Sequence, residues 1–501
     1  MNLHPMDQTA IASFWLERGG AVTEQATTPE IERRSRASTI SATVVGVFSV
    51  GWAGLFATLG LTQLWRFHMH AYDIGIFSQA TWLLSRFKDP FVTIRGLQIF
   101  ADHSSYILLA IVPLYWLFPT AATLVVVTVL AMTATAPLVY VVARRAGASP
   151  LLAAVTGVLV LVQPAVQWQV RDSFHPEVLV VPLVVGAFAL LQRDRDVWAI
   201  TLIAVALTAK EDVGLLIVPL GLAIAYFLGK RRTGWLIAAL GLGAFLLNFL
   251  VLLPAWSPTG ELLYSYRYAQ FGTTPVDVVV GLLTSPSEWW AVITDGTRMT
   301  YVATLVFAMP LAILAPRWLL VGVPMLAANL FSNHGYQYEI EYHYAAYLVV
   351  AVVLAAAFGA ASVSRWDRRS LRIAAVVVAI VAASATWFVA GPRTGWPAAH
   401  VNQTQIRAIL EVIPDDESVS AWTTLVPPLA NRETVYLFPS PWDLAYYGAE
   451  GIEDPDPSKV DWLFIRSDSY RTFDDIIDGI IESGDWEVVV DDPPFTLLRR
   501  K

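Results

Sequence analysis

The chain has 501 residues, of which 56% are hydrophobic and only 15% charged, with a mean hydropathy of +0.54, which excludes a soluble multidomain protein. The absence of cysteine excludes disulfides, thiolate nucleophiles and cysteine-ligated zinc or iron–sulfur centres. The net charge of −8 is unevenly spread: residues 391–501 carry 9 basic and 20 acidic side chains, a balance of −11, and the remainder is +3, so no basic nucleic-acid-binding surface is expected.

Residues 1–37 are polar and lack a cleavable signal pattern, so they read as a disordered cytosolic N-terminus. The first long apolar run starts near Thr39 and reads as an uncleaved span. A spanning helix needs about 20 apolar residues, and cytoplasmic loops are enriched in Lys and Arg. Basic clusters fall at Arg33/Arg34/Arg36, Arg144/Arg145, Arg193/Arg195, Lys230/Arg231/Arg232, Arg317 and Arg365/Arg368/Arg369/Arg372. Three apolar stretches, 39–62, 104–118 and 120–143, separate the first two clusters. The middle one, SSYILLAIVPLYWLF, is short and aromatic-rich and reads as a helix lying in or dipping into the outer interface. All the basic clusters then fall inside.

Further spans are expected at 150–167, 177–191, 197–209, 213–229, 234–254, 300–316, 318–332, 343–363 and 371–390. The expectation is a polytopic α-helical membrane protein of the cell membrane with about 11 spans. Its transmembrane domain covers 38–390, with a long outer loop over 63–119, the N-terminus cytoplasmic and the C-terminus outside.

After Trp396 the period changes. NQTQIRAILEVI places Ile406, Ile409, Leu410 and Ile413 on one helix face behind Asn402 as a cap. SVSAW, TVYLF and VDWLFIRS read as buried strands, and DWEVVVDDPPFTLLRR as a terminal hairpin. TFDDIIDGIIES carries a box-like Thr472 with Asp475 and an apolar face of Phe473, Ile476, Ile477, Ile480 and Ile481. Residues 391–501 thus form a small extracytoplasmic α/β domain. It has no phosphate loop and no triad pattern, and reads as a scaffold or acceptor-recognition unit.

The ionisable motifs segregate to the outer side of this threading. Asp73, in AYDIG, suits a general base or an oxygen ligand for a cation, although a turn or cap residue would also be an aspartate. Asp102 and His103 open the interfacial helix, where Asp102 fits an N-cap. In RDSFHPE, Pro176 and Glu177 are explained by helix-start chemistry. Arg171, Asp172 and His175 are not, and ionisable groups at membrane depth usually line a polar cavity. AKEDVG reads as a self-neutralising turn of Lys210 and Glu211, or as Lys210 binding phosphate with the carboxylates orienting it. NHGYQYEIEYHY carries His334, Tyr342 and His343 with Glu339 and Glu341; an interfacial aromatic belt accounts for the tyrosines better than for the histidines.

In this order the motifs AYDIGIFSQATW, ADHSSYILLAIVPLYWLF, DSFHPEVLVVPL, AKEDVGLLIVPLGLAIA and IPDDESVSAWTTLVPPLANRETVYLFP resemble a prokaryotic family of predicted membrane proteins called domain of unknown function 2079, over roughly residues 65–470. The family name carries no reaction. A looser resemblance is to the GT-C glycosyltransferases, multispanning enzymes that take sugars from polyprenyl-phosphate donors. Asp73, the helix at 104–118, Asp172 and the tail stand at matching places. The usual Asp-Glu doublet after the first span is missing, and the His-Pro-Glu element is unusual for that superfamily.

The resemblance implies sugar transfer from a lipid-linked donor, with membrane lipids as further partners, no nucleic acid, and no protein partner indicated. Asp73 would be the base, with Asp102 and Asp172 as secondary acids or metal ligands. Lys210 and Arg171 would hold donor phosphate. His103, Glu211, His334 and Tyr342 would border the substrate, and His175 and His343 would line the cleft or bind a metal. The carboxylates would accept a divalent cation, magnesium or manganese, without requiring one. Two rivals use the same groups: a transporter or lipid flippase, and a non-catalytic scaffold for envelope assembly.

Overall fold

A computed structural model describes residues 28–272, 274–392, 402–444, 447–448, 454–466 and 473–501. Among the described residues, six helices are long and apolar enough to cross a membrane: Ser35–Trp65, Ala121–Arg145, Pro150–Asp172, Arg231–Trp256, His343–Ser364 and Arg369–Ala390. Their ends follow local chemistry. Thr120 caps Ala121–Arg145 by accepting from the Ala122 amide, and Arg144 and Arg145 occupy its negative end. Ser149 caps the next helix, with Pro150 in its first turn.

Burial sorts the helices into layers. Along its most apolar window His343–Ser364 is 89% buried, and it forms the axis of the bundle, whereas Arg369–Ala390 is only 11% buried. The outward Val377, Val381, Phe388 and Val389 of that peripheral helix, like Val47, Phe48 and Val50 on the first, need an apolar solvent. At the axis Gly359 lies against the Leu311 carbonyl, so close that no residue with a Cβ fits.

Several expected spans are altered. Those at 177–191, 197–209 and 213–229 are the helices Glu177–Leu191, Asp196–Ala206 and Gly214–Phe227, each shorter than a bilayer's hydrocarbon core requires of a straight helix. Those at 300–316 and 318–332 are broken into Gly296–Phe307, Pro310–Leu314, Pro316–Leu319, Leu320–Gly322 and Val323–Leu330. Pro310, Pro316 and Pro324 each stand in a first turn, where a missing amide hydrogen is tolerated but a continuing helix is not. Residues 255–299, which suggested no element, hold two helices bent by 75°, Val276–Thr284 and Pro286–Thr294. Thr274 and Asp277 form a capping box ahead of the first.

The stretch at 104–118 is the helix Leu108–Leu117. Leu108, Ile111 and Tyr115 are buried while Leu109, Trp116 and Leu117 are exposed. It packs on Ile76–Ser85, with the Tyr115 hydroxyl 3.2 Å from Ser78 Oγ and the Trp116 indole donating to Ser85 O at 2.9 Å. Asp102 is not its N-cap. Asp102 ends the preceding turn Ile99–Asp102, and the helix begins six residues later without a side-chain cap.

Strands β1 (Phe91–Val92) and β2 (Leu97–Gln98) form a small hairpin in the first loop. The C-terminal domain holds β3 (Val419–Ala421), β4 (Val435–Leu437), β5 (Trp462–Arg466), β6 (Trp486–Asp492) and β7 (Phe495–Arg500) in the order β4-β3-β5-β7-β6. The first three pair in parallel, and β7 runs antiparallel to β5 and β6 as the terminal hairpin. The expected tail helices are Gln403–Leu410 and Asp474–Glu482. Asn402 stands at the N-cap of the first without a side-chain cap bond. Ile480 of the second is buried but Ile481 is 52% exposed, off the expected face. Thr472, expected in its capping box, lies outside the described residues.

This domain docks on the loop after the first long helix. Thr93 Oγ1 donates to Val435 O at 2.8 Å and accepts from Val435 N at 2.9 Å, so the hairpin satisfies the edge of β4. Gln79 donates to Thr93 Oγ1 at 2.8 Å and to Glu433 O at 3.1 Å. Gly448 N donates to Arg95 O at 2.7 Å. Thr93→Val keeps the shape and strands the Val435 amide and carbonyl. The expected penalty of about 1–3 kcal/mol reads as roughly 5- to 150-fold faster hydrogen exchange at Val435, measured by mass spectrometry on the full chain in detergent.

Candidate functional site

The ionisable groups converge where the C-terminal domain meets the bundle. Asp73 stands in a turn with φ +69° and ψ −85°, close to the rare and strained γ-turn geometry. The tail braces this turn: Ala71 N donates to Thr423 Oγ1 at 3.3 Å, and His70 Nδ1 lies 3.5 Å from the same hydroxyl. Burial holds the His70 imidazole below its ordinary pKa, against the nearby Asp73 charge. The Asp73 side chain remains 41% exposed, and its Oδ1 lies 3.1 Å from His175 Nε2.

His175 occupies the turn after the helix Pro164–Asp172, which Ser173 makes with φ +106° and ψ −176°, a region populated almost only by glycine. Its ring stacks on His343 at 3.7 Å. Asp172 Oδ2 faces His175 Nδ1 at 3.9 Å and His343 Nδ1 at 3.6 Å. His343 Nε2 faces Glu177 at 3.8 Å, and Glu177 pairs with Lys210 at 2.5 Å with both side chains buried. Glu211 accepts from the Ser104 amide at 3.1 Å and meets His103 Nδ1 at 2.9 Å. Asp212 accepts from Tyr347 at 3.0 Å.

Beyond Lys210 opens a cavity of about 380 Å³. Its walls are apolar, formed by residues such as Leu215, Phe245, Phe249, Leu253, Val278 and Leu282, and its polar end is formed by Asp102, His103, Lys210, Glu211, Arg267 and Tyr344. Asp102 accepts from the Tyr264 hydroxyl and lies 3.8 Å from Arg95. Burial, with the Asp102 charge, pushes the Tyr264 hydroxyl well above the ordinary phenol value. The Arg267 guanidinium lies 4.4 Å over the Tyr264 ring and 5.9 Å from that of Tyr344. Its buried Nε has no hydrogen-bond partner.

The predicted residues therefore divide. Asp73, Asp172, His175 and His343 form one cluster, joined through Glu177 to Lys210. Asp102, His103, Lys210 and Glu211 border the apolar cavity. Arg171 joins neither, because its side chain is exposed and lies 5.4 Å from the Trp168 ring. It borders a separate pocket of about 670 Å³ with Thr297, Tyr338, Glu339 and Glu341. His334 lies beside Tyr336 and Tyr344, and burial with the Arg267 charge lowers its pKa. Tyr342 stacks on Tyr336 at 4.4 Å, and its carbonyl accepts from Gln169.

Lys210 pairs with Glu177 at 2.5 Å while its neighbour Glu211 pairs with His103, so the expected self-neutralising turn of Lys210 and Glu211 is not formed. Arg267, absent from the sequence reading, lines the cavity between Tyr264 and Tyr344. The aromatic run around it, YSYRYAQF, was the available signal. Lys210→Met or Glu177→Gln alone leaves a buried charge unpaired and is expected to cost about 3–5 kcal/mol. The double variant should recover most of that loss in thermal unfolding of the detergent-solubilised chain.

A family model described as Predicted membrane protein (DUF2079) matches residues 63–492. Among curated proteins none matches the chain. The solved structures that match include two at low identity. ArnT from Cupriavidus metallidurans bound to undecaprenyl phosphate is 13% identical, with a TM-score of 0.48 over 89% of this chain and 98% of that one. The same protein in the apo state is 13% identical, with a TM-score of 0.47 over 90% and 98%.

Proposed function

The chain belongs to the DUF2079 family of predicted membrane proteins, and from that premise we propose that it is a GT-C-like glycosyltransferase moving a sugar from a polyprenyl-phosphate donor to a hydroxyl acceptor at the outer face of the cell membrane. The observation that carries this reading is the cavity, with apolar walls and, at its polar end, the partly buried Arg267 guanidinium held between Tyr264 and Tyr344. An isoprenoid tail suits the walls and a phosphate suits that end.

In the proposed reaction the acceptor oxygen attacks the anomeric carbon of the donor sugar. The bond from that carbon to the phosphate oxygen breaks, and the polyprenyl phosphate leaves with the electron pair. Asp73 takes the acceptor proton. Its Oδ1 faces His175 while the side chain stays 41% exposed, which leaves room for a hydroxyl. Arg267 stabilises the charge on the leaving phosphate. Asp102 acts on the donor side through Tyr264 and Arg95. Lys210, closed by Glu177, orders the wall between the two clusters. The outer face is the side that the enrichment of cytoplasmic loops in Lys and Arg assigns to the C-terminal domain in this reading.

The test uses the full chain in lipid nanodiscs with radiolabelled polyprenyl-phosphate sugars. Asp73→Asn should lower transfer by roughly 10²-fold or more with donor binding retained. Arg267→Ala should weaken donor binding roughly tenfold or more. Unchanged transfer in Asp73→Asn removes the assignment of the base. Passage of the lipid between leaflets without transfer would make the chain a flippase.

A further inference from the structure

We propose that Asp172, His175 and His343 bind a divalent transition-metal ion of the zinc class through one carboxylate oxygen and two imidazole Nδ1 atoms. The three donor atoms lie within 4.8 Å of one another, and Asp172 Oδ2 is 3.6 Å from His343 Nδ1 and 3.9 Å from His175 Nδ1. Ligands about 2.0–2.2 Å from a tetrahedral zinc stand roughly 3.4 Å apart, so the two carboxylate–imidazole gaps would close by a few tenths of an ångström, while the rings, stacked at 3.7 Å, would turn to aim both Nδ1 atoms at the ion.

Two independent observations point to a ligand rather than a polar core. The first is the state of the donors. Asp172 Oδ2, His175 Nδ1 and His343 Nδ1 are each shut off from solvent without a hydrogen-bond partner, and His175 as a residue is only 3% exposed. Burying three such atoms around one point is costly unless something binds them. The second is what backs each ring. His175 Nε2 has Asp73 Oδ1 at 3.1 Å, out of line for a good hydrogen bond, and His343 Nε2 has Glu177 Oε1 at 3.8 Å. A carboxylate behind each imidazole is the arrangement that orients metal-bound histidines and raises their basicity.

The backbone supports the same reading. The turn at Ser173, with φ +106°, is strained for a residue with a Cβ, and it brings Asp172 and His175 to one point from opposite sides of a helix break. The donor set also selects the ion. Two imidazoles and one carboxylate suit zinc, cobalt or iron, whereas magnesium prefers all-oxygen, near-octahedral surroundings. Three protein ligands leave a fourth position for water or an acceptor group. The proposal does not rest on sugar transfer, since metal binding is read on the chain alone.

The experiment takes the full chain, purified on a tag without histidine, stripped with chelator in nanodiscs, and titrated with zinc and then cobalt. About one equivalent of zinc per chain should be retained through gel filtration. Cobalt should give the visible absorption of a four- or five-coordinate nitrogen and oxygen site. His343→Gln and Asp172→Asn should lose the tight equivalent, and His334→Gln, outside the cluster, should keep it. Asp73→Asn, acting through His175, should weaken zinc roughly 10- to 100-fold. No retained zinc and no cobalt band in the unmodified chain overturns the proposal even where a variant fails to fold. Retention at wild-type affinity in a folded His343→Gln chain overturns it as well.

Discussion

Glu177 and Lys210 hold each other's charge at 2.5 Å inside an otherwise apolar bundle, and the rest of the polar interior is arranged around that pair. Neither charge could stay buried alone, because the loss of solvation exceeds what a helix end supplies. Glu177 sits in the first turn of its helix, and Lys210 immediately precedes the turn Glu211–Val213. The pair therefore ties together the starts of two helices that are distant in sequence. Glu177 also faces His343, and Lys210 lies 5.5 Å from the Tyr344 ring, so the same contact positions the entry to the axial helix. One ion pair thus joins the histidine cluster to the head of the apolar cavity.

The C-terminal domain acts on the other flank. Thr423 meets the backbone at Ala71, the hairpin β1–β2 lies against β4, and Gly448 exchanges hydrogen bonds with Arg95 in both directions. Arg95 in turn lies 3.8 Å from Asp102. The strained turn carrying Asp73 is thereby fixed between the bundle and the tail. A carboxylate presented on a turn that would relax if released needs such support from several directions. Among its described residues the tail reaches the first cluster only through the turn of Asp73, where Thr423 meets Ala71 and His70.

Much of this was readable in the sequence, and the failures have physical causes. Composition fixes the class, and the change from apolar runs to alternating strands marks the tail. The grouping of ionisable residues into a few motifs identifies the end of the bundle that matters, since such groups are costly in an apolar interior. The pairing among motifs was not legible. Lys210 stands beside Glu211 in the chain, yet its partner lies 33 positions away. Arg171 and Asp172 are neighbours near a helix end, and successive helical residues point to different sides, so one faces the cluster and the other an outer pocket. The fragmentation after Phe307 comes from prolines that a hydropathy window averages away. Arg267 was missed because its surroundings lack the density of charge that drew attention elsewhere.

Two openings stand near the clusters. The first is the apolar cavity lined in part by Arg267. The second is the pocket beside Arg171, with Glu339 and Glu341 on its wall. Asp172 faces His343, and the histidine cluster reaches the apolar cavity through Glu177 and Lys210. The proposed transfer from a lipid needs an apolar entrance and a fixed polar centre where the two substrates meet. A pathway for carrying a headgroup across the bilayer would instead need polar lining continued along the bundle. The axial helix Ala346–Ser364 packs almost entirely through Val, Ala and Leu, so its own polar contacts lie at its Tyr347 end.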